Sequence, residues 1–291
     1  MLRPAFSTVA CPDWTLERVA AAAADYGFRG VELRSAGDGG ANAFASDPAF
    51  SDPAKVRATI DRAGVDLAGI ATGVKFDDPV FPPVLGHVFA SRNATVRAGK
   101  RMVDLAAKCG APFVRFFAFQ IPGPPVPLAP GDTRWSALRR ICNRLGDVCD
   151  HARHRDLRVL IENAGDFASY NDLVKIIETV NNPLLGACYD LRAGIAAGDD
   201  PVDAIKALGT RLMTARLRDT RAGRPCPLGQ GELPVKSFVQ ALAAAGSSAW
   251  ITYEWDRAWL PELAGADSVL PEASRLLYEW SGVKTTAAAA A

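Results

Sequence analysis

Eight short apolar runs, rich in β-branched and aromatic residues, alternate along the chain with longer stretches of helical spacing, and this recurrence restricts the fold more than any other feature. The runs fall near Ala5 to Val9, Gly30 to Leu33, Leu67 to Ala71, Phe113 to Phe119, Arg158 to Glu162, Leu185 to Asp190, Leu212 to Leu217 and Trp250 to Trp255. Several lack polar alternation, as strands covered on both faces should. Helical segments between them carry start and stop signals. Asp13 precedes a run ending at Gly27, Asn93 to Lys108 stops at Cys109-Gly110, and Ser169 to Val180 stops before Asn182-Pro183. Pro234 to Ala245 stops at Gly246, and Leu270 to Trp280 closes the chain.

Eight strand and helix pairs in about 280 residues predict an α/β fold, a single-domain (β/α)8 TIM barrel over residues 1–282, since roughly 250 residues is typical of that fold. Residues 283–291 are read as a disordered or appended tail. A doubly wound open sheet is the alternative, but no GxGxxG follows the first strand and no GxxxxGK[ST] occurs.

Charge narrows the partners. With 33 basic and 32 acidic side chains the net charge is +1, so no overall field draws the chain to nucleic acid or an anionic membrane. One long uncharged stretch, Phe116 to Gly131, carries five prolines and is a loop, not a membrane helix. Six cysteines show no CxxC pair and no zinc spacing; they read as free thiols in a reducing, cytoplasmic setting. A small molecule is the expected partner.

In a barrel the chemistry sits where strands end at the C-terminal face. That rule selects Glu32 in GVELR, Arg115 in FVRFF, Glu162 in VLIENAG, Asp190 in GACYDLR, Arg216 and Asp219 in TARLRDT, and Glu254 in ITYEW. Glu162, Asp190 and Glu254 each follow an apolar strand, where an unpaired charge costs several kcal/mol, of the order of ion burial penalties. Two compensations are open. A divalent cation, magnesium or manganese, suits hard oxygen ligands; alternatively Arg115, Arg216 or Arg218 pairs with the acids.

The segments VLIENAG, CYDLRAGIAAG, ARLRDTRAGRPCPLGQGELP and ITYEWDRAWLPEL, in this order, resemble the sugar phosphate isomerase/epimerase family with a xylose isomerase-like barrel, and WTLERVAAAAADYGFRGVELR looks like its first βα unit. The resemblance implies a divalent metal held by Glu from strand five, Asp from strand six, His from strand seven and Glu from strand eight. The matching positions are Glu162, Asp190, Arg216 and Glu254, so three ligands match and the histidine does not. Two further family histidines fall on Ala164 and on Arg192 or Ala193. Of the three histidines present, His151 and His154 precede a strand and belong to the opposite face, while His87 lies in the loop after strand three, within reach of the site.

A guanidinium cannot ligate a metal, but it supplies a fixed cation. The resemblance with its lost histidine therefore implies a carbohydrate or sugar-acid isomerase or epimerase, metal-independent, with Glu162 and Glu254 as the acid/base pair and Arg216 stabilising an enediolate. Three other readings stay open. A weak metal remains on Glu162, Asp190 and Glu254; or the enzyme is a lyase or dehydratase on a related keto-sugar; or the barrel is a sugar-binding protein or enzyme subunit without catalysis. Arg115, Glu32, Arg218, Gln230 and Trp255 are the expected substrate contacts, with Lys75 a further anion-binding candidate. Phe6, Phe76, Phe117 and Trp259 are candidates for an apolar wall, Thr220 to Pro234 is read as a substrate-facing loop, tract 120–131 as a cover of the barrel mouth or a partner surface, and a homo-oligomer is expected.

Overall fold

In the computed structural model, residues 1–35, 48–77, 92–117 and 134–283 are described. His87, the proline-rich tract 120–131 and tail positions 284–291 lie outside these residues. Strand β1 spans Arg3–Ser7, β2 Gly30–Arg34, β3 Asp66–Ala71, β4 Phe113–Phe117, β5 Arg158–Glu162, β6 Leu185–Asp190, β7 Leu212–Leu217 and β10 Trp250–Tyr253. These eight pair in parallel and close on themselves, in the order β1-β10-β7-β6-β5-β4-β3-β2. The expected barrel is present.

Helices return the chain from each strand end to the next strand start: α1 Leu16–Asp25, α2 Pro53–Ala63, α3 Arg92–Cys109, α4 Arg134–Ala152, α5 Tyr170–Val180, α6 Leu191–Ala196 with α7 Pro201–Leu208, α8 Val235–Ala244 and α9 Ala266–Ser281. Their starts follow local chemistry. Asp52 caps α2 ahead of Pro53, and Ser169 with Asp172 forms a reciprocal capping box at α5. Thr15, not Asp13, caps α1; Asp13 instead pairs with Arg257 at 2.5 Å. Helix α9 begins four residues before Leu270, because Ala266 and Val269 extend its buried face upstream of Pro271.

Strand β1 starts two residues earlier than the sequence suggests. Register decides this, since Arg3 to Phe6 pair with Trp250 to Tyr253, and Thr8–Ala10 turn into a 3-10 helix. Strand β4 ends, within the described residues, at Phe117. The loop after β7 adds a small antiparallel hairpin, β8 Asp219–Arg221 with β9 Arg224–Cys226. Its two-residue turn, Ala222-Gly223, has both φ values positive (48° and 75°), as the twist of a tight hairpin requires.

Inside the barrel the floor is apolar: Ala5, Ala68, Phe113, Leu160, Cys188 and Trp250 form a separate buried cluster. The two large rings fit only because the facing strands carry glycine. A Cβ at Gly69 would collide with the Phe113 ring, and one at Gly30 would lie 2.9 Å from the Trp250 Cη2 atom. A Gly69→Ala variant is therefore expected to lose about 1–3 kcal/mol by overpacking, read as a lower urea midpoint with an unchanged slope.

Candidate functional site

Because side chains alternate along a strand, residues two apart project to the same side. Above the apolar floor this period places Glu32 and Arg34 of β2, Arg115 of β4, Glu162 of β5, Asp190 of β6, Arg216 of β7 and the following Arg218, and Glu254 just past β10. All are buried, and Glu32, Arg115, Glu162, Arg216 and Glu254 are each 3% exposed or less. Removing an ion from water costs several kcal/mol, so each needs a partner.

Arg216 supplies most of the pairing. Its Nη2 donates to Glu32 Oε1 at 2.8 Å, its Nε lies 3.2 Å from Glu162 Oε2, and its Nη1 meets Glu254 Oε2. Arg115 reinforces it from the other side, with Nη1 2.5 Å from Glu162 Oε2 and Nε 3.9 Å from Glu32 Oε2. Arg218 donates to Glu254 Oε1 and reaches Asp190 Oδ2 at 3.3 Å and Asp256 Oδ1 at 3.5 Å. Around this core, four guanidiniums (34, 115, 216, 218) face four carboxylates (32, 162, 190, 254), and Asp256 is shared by Arg218 and, at 3.7 Å, Arg192.

Titration follows the geometry. Burial alone would push the Glu32 carboxyl up, but Arg216 and Arg115 outweigh it and hold the group below its ordinary value. Burial would strip charge from Arg216, yet Glu162 and Glu32 hold it more firmly protonated than an exposed arginine. Burial, with Arg115 and Arg216 nearby, brings Arg34 down to about 9. Arg34 still carries its charge at neutral pH; it donates to the Thr72 carbonyl at 2.8 Å and lies over the Phe117 and Trp259 rings. The Cys188 thiol, pushed well up by burial and by Glu162, stays protonated and donates to Glu162 Oε2 at 3.5 Å.

The carboxylates do not form a metal centre. Glu162 faces Arg115 and Arg216, Glu254 faces Arg216 and Arg218, and Asp190 spends one oxygen capping α6 through the Ala193 amide at 3.0 Å. No three acidic, histidine or cysteine side chains among the described residues converge as ligands. A divalent ion at the centre would meet guanidiniums where it needs oxygen lone pairs, within a cluster whose charges already balance. The set Glu162, Asp190 and Glu254 thus does not fit magnesium or manganese as it stands.

Other expected contacts fall outside the cluster. Gln230 is exposed, and its backbone carbonyl, not its side chain, is engaged by Arg221. Trp255 is buried with its indole Nε1 committed to the Ala264 carbonyl at 2.8 Å. Lys75 lies 3.8 Å from Asp77. Phe6 packs on Phe28 and Phe76 on Phe116, both in the core, while Phe117 lies under Arg115 with 4.4 Å from guanidinium to ring. His151 bonds Asp104 at 3.0 Å on the helical layer, and His154 is exposed. Asp219 holds the loop itself, its carboxylate accepting from the amides of Thr220, Gly229, Gly231 and Leu233 at 2.9–3.3 Å. The residues missed by reading the sequence are Arg34, signalled by its spacing of two from Glu32, and Asp256, signalled by its spacing of two from Glu254.

Comparison with known proteins agrees with this architecture. A family model described as xylose isomerase-like TIM barrel matches residues 20–280. The uncharacterized protein YihM of Escherichia coli (strain K12) is 26% identical over 152 residues, half of this chain; the match spans 43% of YihM, less than half its length. Among solved structures, an L-ribulose 3-epimerase superposes with a TM-score of 0.77 at 17% identity, covering 97% of this chain and 95% of that one. A 3-keto-D-glucoside 4-epimerase, YcjR, from E. coli gives 0.74 at 14% identity, covering 95% and 99%. At such identities the likeness is one of fold.

Two outcomes are expected of the cluster. Glu32 adds stability that is fully present above its ordinary value of 4.5 and lost as pH falls through its lowered folded value. Arg216→Met leaves three acids short of their counter-ion, so it should cost about 3–5 kcal/mol and move the acid limb of the stability profile to higher pH, as followed by urea unfolding from neutral to acidic pH. Asp219→Asn should speed hydrogen exchange at Gly229 and Gly231, while exchange in β5 and β6 stays unchanged.

Proposed function

We propose, from the premise that the chain belongs to the xylose isomerase-like TIM barrel family, that it is an isomerase or epimerase acting on a carbohydrate or sugar acid without a metal ion. The observation that carries this reading is one buried guanidinium, Arg216, in contact with both Glu162 and Glu254. Two carboxylates share a single cation, so a sugar carbon admitted to the volume between them would have an acid on either side, with the cation where an enediolate oxygen would develop charge.

A sugar carbonyl entering this volume accepts the Arg216 N–H groups in place of a carboxylate. Losing that counter-ion in a dry lumen raises the affinity of the carboxylate for a proton, which suits it to proton transfer. Glu162 then takes the proton from the carbon beside the carbonyl, and the C–H electron pair forms the enediolate double bond. The carbonyl pair moves to the oxygen held by Arg216; as it returns to re-form the carbonyl, Glu254, protonated from solvent once the substrate has taken its place on Arg216, gives that proton to carbon, and Glu162 passes the abstracted proton to solvent. Arg115, Glu32 and Arg218 position hydroxyl groups through charge-assisted hydrogen bonds. Gln230 and Trp255 have no part in this scheme, for the reasons of placement given above.

A second reading draws on a separate observation: every one of these carboxylates already meets an arginine. A barrel built so can bind a sugar without turning it over. One experiment separates the two. Ketoses, sugar acids and keto-glycosides are incubated with the protein in D2O, with and without a chelator, and carbon-bound deuterium is read by NMR. The enzyme reading expects exchange that survives chelation and falls by about 10²–10⁴-fold in Glu162→Gln and Glu254→Gln. Exchange that requires added manganese would sink metal independence. No exchange with any substrate, together with sugar binding retained in both variants, would establish the binder.

A further inference from the structure

Between the apolar floor and the ion cluster, one side of the lumen is lined by hydroxyl groups. Ser7 of β1, Thr252 of β10 and Thr214 of β7 lie on neighbouring strands, and all three are fully buried. Register fixes where they point. Thr214 is the partner of Trp250 and of Cys188, both floor residues, while Thr252 is the partner of Ala5, also in the floor, and of Arg216. Ser7 is the partner of Glu32. Side chains at partnered positions share a face, so each hydroxyl faces the barrel interior.

The three form a diagonal ladder. Thr252 stands two residues beyond Trp250, the partner of Thr214, and Ser7 stands two residues beyond Ala5, the partner of Thr252. With strands about 4.8 Å apart and a rise of about 3.3 Å per residue, successive rungs are roughly 8 Å apart at Cα, which leaves a water's width between the hydroxyls. The side chains are small, whereas β4 and β5 across the barrel send in Phe113, Arg115 and Leu160.

These groups lack bonds. Ser7 Oγ, Thr214 Oγ1 and Thr252 Oγ1 have no hydrogen-bond partner among the described residues, and neither has Glu32 Oε2, whose contact with Arg115 Nε is 3.9 Å long. Against the cost of burial, Arg216, Arg115 and, more weakly, Ser7 favour the charged form of Glu32, but the Ser7 hydroxyl does so without reaching bonding geometry. Buried polar atoms almost always find a partner in protein or in ordered water. Four of them along one wall supply the two to four contacts that an internal water needs.

We propose that this wall is a water-binding site, where ordered waters bridge Thr214, Thr252 and Ser7 and give Glu32 Oε2 the donor it lacks. Held singly, such waters are ligands of the lumen and leave it without bulk solvent. Glu32 is then fixed from below by water as well as by its bond to Arg216.

The test uses the full chain with ¹³C-labelled threonine methyls and reads magnetisation transfer from water to each methyl by NMR. Thr214 and Thr252 are assigned by the loss of their signals in Thr214→Ser and Thr252→Ser, which keep the hydroxyl. A cross-peak from water to both methyls is expected, with the sign of a water held longer than the protein takes to tumble. A hydroxyl proton exchanging with solvent imitates that peak, so the transfer is repeated in Thr252→Val with labelled valine, where the side chain carries no exchangeable proton. There the peak should persist at the introduced methyls; Thr214→Val takes its place should that variant not fold. Stability gives a second reading, because valine has the shape of threonine without its hydroxyl. Removing a hydroxyl bonded to water leaves that water a partner short and lowers the urea midpoint at unchanged slope, whereas removing an unbonded one raises it. Both valine variants should show the lower midpoint. No cross-peak in the unsubstituted chain, a peak lost on the change to valine, or a midpoint that fails to fall in either variant would overturn the site.

Discussion

Everything at the C-terminal end of this barrel depends on one buried guanidinium. Arg216 projects from the seventh barrel strand to the middle of the lumen and touches acids from the second, fifth and eighth. Those acids are tolerable in a dry interior only because the cation is there, and the cation only because they are. Arg115 and Arg218 extend the same logic outward, so the lumen is a polar lattice standing on an apolar floor. The floor matters as much as the lattice, since Trp250 and Phe113 close the barrel from below and keep bulk water from screening the ions above.

This interdependence also explains why the barrel, although built like its solved relatives, does not present a ligand set for a divalent ion. A metal site wants carboxylate lone pairs aimed at an open centre. Here the lone pairs of Glu162 and Glu254 are aimed at N–H groups, and Asp190 turns partly away to start a helix. The guanidinium of Arg216, at one strand position, thus sets the electrostatic organisation of the whole mouth.

Much of the fold was legible in the sequence because barrel strands are apolar on both faces and barrel helices carry caps. The expected limits of the fifth, sixth and seventh strands coincide with the observed ones. What failed was set by tertiary contacts: the early start of β1 follows from its pairing with β10, and the hairpin after β7 from a turn that puts a non-glycine residue, Ala222, at positive φ. In the site, the strand-end rule found Glu32, Arg115, Glu162, Asp190, Arg216 and Glu254 because position along a strand is readable from period alone. The same rule selected Asp219, which the structure turns to the loop, and Gln230 and Trp255, expected on other grounds, fall outside the cluster, since a loop's inward and outward sides depend on hydrogen bonds between distant backbone groups, which no local pattern encodes.

The knot at Asp219 has a practical meaning for protein engineering. One carboxylate fixes the amides at 229, 231 and 233, so those positions form a spool around which the loop is wound, and Gly231 has no room for a side chain beside it. The hairpin tip at 221–224 is exposed and makes no bond to Asp219; among the described residues only the Arg221 guanidinium on the Gln230 carbonyl and the Ala222 amide on Glu232 tie it to the spool. A library meant to diversify this rim should randomise the tip and leave the spool untouched, because insertions at the former lengthen the loop while insertions at the latter unwind it.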